Sequence, residues 1–375
     1  MAEEETPLQN QIKFFKPQLS LSSIYIQDFS ELISNVIYKD NDNSFSLQYK
    51  LYYGIIGSSA IGSNILVENF TKKFIAYGGD TSWVEEGKNC EKIPKHIKGF
   101  AKMNDILVHK PWILFWAHFA EFDNGMTFFL FQSAIILTTI HRYATIFSWF
   151  QIFKNSNNTK ETAEDNETIS ETKNGEMEKA QSPENKKDEN IIKNLKEKFI
   201  LNPIVHTDFD PHTEKYLLTE DFDWKTNAKY FFSDYAQKEM DFLEQEFKSL
   251  DSIPYDESDE NNILKKKNAI EKYVGLILGI KDNSYDYHNT NKHLSKYLKA
   301  LIKKIVCSPE KLYEENLKDL LIIIKEKENL IRLIFLVTAI KQKICLTFFA
   351  KAFDDFSSNK NKSNLFNSNE NNLED

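Results

Sequence analysis

Residues 125–140 read "GMTFFLFQSAIILTTI" and contain no charged side chain. A run of this composition has no polar face, so apolar surface must enclose it from every side. It is about sixteen residues long, short of the ~20 that a membrane-spanning helix needs. His141 and Arg142 then interrupt it before "YATIFSWFQIF", which would place polar groups in the middle of any longer span. The reading is a fully buried core helix wrapped by other helices, with no membrane span.

Apolar residues elsewhere recur at helical spacing. "DFSELISNVIY" carries Phe29, Leu32, Ile33, Val36 and Ile37 on one stripe, with Asp28 and Glu31 expected as a capping pair. Gly78 and Gly79 in "AYGGDTSW" are expected to stop a helix, and "FAKMNDILVHKPW" to form another that ends before Pro111. Leu294, Tyr297, Leu298, Leu301, Ile302 and Ile305 form one further stripe. Two more follow, on Leu317, Leu320, Leu321 and Ile324 and then on Leu330, Leu333, Ile334 and Val337. Strand-like alternation is not seen, and 11 glycines and 9 prolines in 375 residues are few for the turns of an all-β protein. The fold class expected is all-α.

Residues 154–190 hold no aromatic and almost no large apolar side chain, so they cannot bury enough surface to offset their ordering entropy. This divides the chain into an N-terminal helical domain (1–153), a disordered acidic linker (154–190), a C-terminal helical domain (191–356) and a disordered tail (357–375). "YYGIIG" at 52–57 and "YVGLILG" at 273–279 echo each other faintly, an echo that chance accounts for; were it real, the two halves would be related helical modules.

A net charge of −9 disfavours nucleic acid and anionic membrane as main partners, because both select clustered positive charge. Three cysteines, Cys90, Cys307 and Cys345, give neither a disulfide framework nor a zinc spacing and fit a reducing interior. The start "MAEEETPLQNQ" lacks an apolar signal segment. His109, His118 and His141 lack metal-ligand spacing, so structural roles are expected for them, with no metal and no cofactor. His109 is read as ordering a helix end.

In "GIIGSSAIGSNILVENF" (54–70) the small residues suggest a phosphate-cradling loop, but Ser63 and Asn64 follow Gly62 where that loop needs Lys and then Ser or Thr. A helix with a smooth face, approached closely by its neighbours, fits better.

Several motifs in order carry a family resemblance. "YGGDTSW" (77–83), "LVHKPW" (107–112) and "AIILTTIHRYATIFSWF" (134–150) resemble landmarks of the sestrin N-terminal domain. "FDWKTNAKYFFSDYAQKEMDFLEQEF" (222–247), "LGIKDNSYDY" (278–287) and "IVCSPEK" (305–311) resemble those of the C-terminal domain. The resemblance implies two helical-bundle domains of alkylhydroperoxidase-like type joined by a disordered linker. It implies a stress-responsive brake on the target-of-rapamycin complex 1 (TORC1) kinase, acting through a regulatory protein complex upstream of Rag GTPases. It also implies leucine sensing in some members and control of reactive oxygen species by the first domain.

The family's redox site pairs a cysteine with a tyrosine and a histidine; the matching positions here are Ser63, Ile65 and Phe70, a degenerate site with no catalytic group. The family's leucine pocket maps onto Glu328 for the amine and Lys267 for the carboxylate, with Leu321 at a pocket tryptophan and Tyr255 in the lid. Lys267 keeps the charge of an arginine but loses its two-pronged geometry, so leucine binding is expected to be weak or absent. The partner-docking acids map onto Asn283 and Ser284, leaving Asp282 as the nearby acid.

The reading is therefore a cytoplasmic regulator, with the nucleus as a second location, that restrains TORC1 signalling without peroxidase activity. The alternatives are an alkylhydroperoxidase-type antioxidant enzyme, against which Ser63 speaks, and a scaffold sharing only the fold.

Overall fold

The computed structural model describes residues 23–39, 45–122, 124–164, 209–253, 260–309 and 327–370, with positions 311, 320 and 324. The helices are α1 (Ser23–Ile33, continuing as a wider turn over Ser34–Tyr38), α2 (Leu47–Ile61), α3 (Asn64–Ala76), α4 (Ser82–Glu85) and α5 (Lys95–His109). After three short 3-10 turns come α6 (Thr127–Glu164), α7 (Lys229–Asp251), α8 (Glu260–Ile277), α9 (Tyr287–His293), α10 (Lys296–Cys307) and α11 (Lys327–Glu370). Among the described residues the extended pairing is one short parallel contact, β1 (Leu217–Leu218) with β2 (Ile280–Lys281). The fold is all-α.

The charge-free run lies in α6, where every side chain from Ser133 to Phe147 is buried. Its counterpart is α11, where every residue from Leu330 to Ala350 except Lys343 is buried. The stretch Glu328–Lys360 is long and apolar enough to cross a membrane, yet 94% of its most apolar window is covered by the rest of the protein. It is packed as a core helix, against α6.

The two long core helices line one buried seam between them. Thr138, His141, Arg142 and Thr145 on α6 recur as Thr338, Lys341, Gln342 and Cys345 on α11 at the same spacing, and the two sets face each other. In α5, Leu107-Val108-His109 runs into Lys110-Pro111; in α10, Ile305-Val306-Cys307 runs into Ser308-Pro309. The halves also brace each other. The Cys345 thiol donates to the Leu107 carbonyl at 3.1 Å, and one continuous core joins both halves.

The glycine-rich stretch is helix α2, closed by Gly62 at φ 76°. A Cβ at Gly54 would lie 2.3 Å from the Phe70 ring, and one at Gly57 would lie 2.8 Å from Ile140. These glycines let α3 and α6 pack against α2 at short range.

Asp28 does not cap a helix, because α1 begins at Ser23 and places it within the helix. Its carboxylate instead accepts hydrogen bonds from Gln245, at 2.7 Å, and from Ser249, tying α1 to α7. Tyr297 leaves the expected stripe and is 70% exposed, whereas Leu294, Leu298, Leu301, Ile302 and Ile305 are buried. At the expected linker boundary α6 continues past residue 154 to Glu164, since a helix once nucleated adds a hydrogen bond with each further residue. α11 likewise runs through 357–370. Residues 165–190, 371–375, Leu317, Leu321 and Tyr255 lie outside the described residues.

Candidate functional site

The junction between α2 and α3 places Ser63, Ile65 and Phe70 in three different surroundings. Ser63 is buried and precedes α3, with its backbone N–H donating to the Ser58 carbonyl at 3.0 Å. Ile65 is 45% exposed. Phe70 is fully buried against Gly54 and stacks on Tyr38 with centroids 5.6 Å apart and planes 12° from parallel. Burying such a ring contributes about 1.5–3 kcal/mol, so this position now serves packing. None of the three side chains is a thiol, a phenol or an imidazole.

The cysteines stand elsewhere. Cys90 is buried with its sulfur 3.5 Å from the Ser82 hydroxyl. Burial pushes the Cys345 thiol up to about 11, far from the range of a reactive thiolate. Cys307 is half-buried at the end of α10.

Of the four residues mapped to a leucine pocket, the structure describes two. Lys267 on α8 is already engaged, with its ammonium 2.6 Å from the Asp251 carboxylate and 3.3 Å from the Asp251 carbonyl. Glu328 is half-buried in the first turn of α11. Leu321 and Tyr255 lie outside the described residues, so the pocket as a whole cannot be assembled from them.

The segment Asp282–Ser284 is a surface turn after β2. The Ser284 N–H donates to the Asp282 carboxylate at 2.7 Å, and Lys272 of α8 reaches both Asp282, at 3.3 Å, and the Ser284 hydroxyl, at 3.0 Å. The Ser284 hydrogen bonds, with Lys272 behind them, hold the Asp282 carboxyl below the usual range. Asn283 donates to Glu220 at 2.8 Å, so the amide that stands at an expected acid position closes the turn onto the segment after β1.

A buried polar seam lies where the halves meet, and it was not assigned as a site from sequence. The Arg142 guanidinium donates to both oxygens of Glu246 at 2.6 Å, with both side chains at most 1% exposed. Tyr25 and Gln342 each sit 3.4 Å from the same guanidinium, and the Phe29 ring lies 5.1 Å from it. Burial disfavours the charged guanidinium, but Glu246 outweighs this and raises its affinity for the proton. His141 Nε2 meets the Asn104 side-chain oxygen at 2.8 Å. Burial, reinforced by Lys341 and His109, holds His141 well below its ordinary pKa and keeps the ring neutral. The interruption of an apolar run by His141 and Arg142 was the available signal. His118 sits against the Phe115 backbone, and among the described residues no three metal-ligating side chains converge.

Comparison with known proteins agrees with this layout. The family model described as PA26 p53-induced protein (sestrin) matches residues 2–200 and 137–353, together most of the chain. Human Sestrin-2 is 21% identical over 339 residues, covering 72% of this chain and 69% of that protein. Mouse Sestrin-3 is 20% identical over 375 residues, covering 78% of this chain and 75% of that protein. The Sestrin homolog of Dictyostelium discoideum is 28% identical over 120 residues, which covers 31% of this chain and only 20% of that protein. With the family model spanning both helical halves, the chain belongs to the sestrin (PA26 p53-induced protein) family.

Proposed function

We propose that this protein is a sestrin-type regulator that restrains TORC1 nutrient signalling under stress by binding a protein complex upstream of Rag GTPases, and that it does not reduce peroxides. The observation that carries the reading is the state of the α2–α3 junction in a sestrin chain: Ser63 stands where a thiolate is needed, and Phe70 is locked into the core. A serine hydroxyl has neither the acidity nor the oxidation chemistry of a thiol. Binding is the remaining task for such a chain, in the cytoplasm and the nucleus.

Leucine is at most a weak ligand in this reading. The Lys267 charge is already met by Asp251, so a ligand carboxylate would have to displace that pair and accept a point charge instead of a fork.

Affinity capture of the tagged full-length chain from amino-acid-starved cells tests the proposal. Components of the complex upstream of Rag GTPases should be retained, and equally so by Ser63→Ala. Their absence would overturn the reading.

A further inference from the structure

The solvent side of α5 carries charge of one sign. Lys95, Lys98 and Lys102 stand at i, i+3 and i+7, and Lys110 follows the helix end at i+15, so a repeat of 3.6 residues brings all four into one stripe about 120° wide. The opposite side faces the core through Ile97, Phe100, Leu107 and Val108. The acid within the helix, Asp105, is buried and accepts from the Asn104 amide at 3.2 Å. Lys102 is met by Glu121 at 3.0 Å. Among the described residues Lys95, Lys98 and Lys110 have no ion pair.

Beside this stripe runs a turn whose apolar side chains reach solvent. Pro111–Ile113 and Trp116–Phe119 are short 3-10 turns, fixed to the core by buried Leu114 and by Phe119, whose ring lies 5.1 Å from Phe349 and 5.6 Å from Phe353 of α11. Ile113, Phe115 and Trp116 are left 40%, 52% and 45% exposed, with the Phe115 and Trp116 rings edge to face at 6.4 Å. Turn and stripe share an edge, because Gly99, Lys102 and Met103 of α5 and Phe115, His118 and Glu121 of the turn line one open cavity of about 160 Å³.

Lysines bordered by exposed rings match an anionic bilayer surface. Its headgroups attract ammonium groups on long stems, and aromatic rings settle at the boundary between headgroups and acyl chains. The net charge of −9 belongs to the whole chain. Screening over about 8 Å at physiological salt leaves the local stripe to decide what approaches it. A single-stranded nucleic acid stacks its bases on rings set along a basic groove, whereas here the rings and the aliphatic Ile113 form a separate apolar edge next to the cations.

We propose that the lysine stripe of α5, with Ile113, Phe115 and Trp116, is a peripheral docking surface for an anionic lipid bilayer. The lysines lie over the headgroups, the three apolar side chains enter the boundary layer, and no helix crosses. The surface is independent of the proposed partner complex, so either reading can fall without the other.

Flotation of the purified full-length chain with vesicles tests this. Vesicles of phosphatidylcholine and phosphatidylserine in equal parts should carry the chain in low salt and release it as salt is added, and vesicles of phosphatidylcholine alone should not carry it. Lys95→Gln with Lys98→Gln should weaken binding about thirtyfold, from about fivefold for each lysine at an anionic surface. Phe115→Ala with Trp116→Ala should weaken it about tenfold, because the apolar area that enters the boundary layer is lost. Both double variants should unfold at the wild-type temperature, since the exchanged side chains pack little. Equal binding to the two kinds of vesicle, or undiminished binding by either double variant, would overturn the proposal. So would a wild type that ignores both vesicles, including the case in which the same side chains retain a protein or a single-stranded oligonucleotide instead.

Discussion

Arg142 of α6 donates two parallel hydrogen bonds of 2.6 Å to the carboxylate of Glu246 on α7 across the junction between the two halves, with both side chains at most 1% exposed. Each side chain alone would be an uncompensated buried charge. Arg142→Ala should therefore lower stability by about 3–5 kcal/mol, and Glu246→Gln by a comparable amount, whereas the double replacement Arg142→Met with Glu246→Leu should be far milder than either. Urea unfolding of the three variants checks this. Additive losses would mean the charges do not act as a pair.

The close approach of α2 and α3 gives a second expectation. Gly54→Ala puts a methyl into the Phe70 ring and should cost about 1–3 kcal/mol. Phe70→Ala removes the obstacle, so the double variant should be less destabilised than the sum of the two single changes. A thermal-denaturation cycle reads this out directly.

The sequence made this packing legible in part. Small residues in "GIIGSSAIG" point to a smooth helical face, and the structure supplies what fills it, Phe70 and Ile140. Stripes such as Leu298, Leu301, Ile302 and Ile305 mark their own buried face, because helical periodicity is a local property. The polar seam is not local. His141 and Arg142 can be seen to interrupt an apolar run, but their partners Asn104 and Glu246 are 37 and 104 positions away. Asp28 misled for the same reason: acid-x-x-Glu is a local capping signature, whereas its actual donors, Gln245 and Ser249, come from the other half of the chain.

Stability should fall in mild acid because of His141. Its proton affinity is depressed in the folded state below the ordinary 6.5, so the unfolded chain binds more protons as pH drops. Its contribution is fully present above pH ~6.5 and is lost on descending below that value, at up to about 1.4 kcal/mol per pH unit. Urea midpoints between pH 7.5 and 5.5 should show this slope, and His141→Gln should flatten it.

Thiol reactivity should rank with burial. Cys90 and Cys345 are at most 2% exposed, and the Cys345 thiol is pushed up to about 11, so both should resist a disulfide reagent in the native protein. Cys307, half-buried at the end of α10, should react first. Counting modified cysteines by mass spectrometry should find one in buffer and three in urea. Rapid native labelling of Cys90 would contradict the packing of the loop before α5.

The central claim, that this sestrin works by binding and without redox chemistry at the α2–α3 junction, is tested most directly by phosphorylation of TORC1 substrates in cells expressing the full-length chain. Phosphorylation should fall on expression of the wild type, and fall equally with Ser63→Ala, while the purified protein consumes no alkyl hydroperoxide with a thiol reductant. Unchanged phosphorylation, or peroxide turnover by the purified chain, would contradict the account.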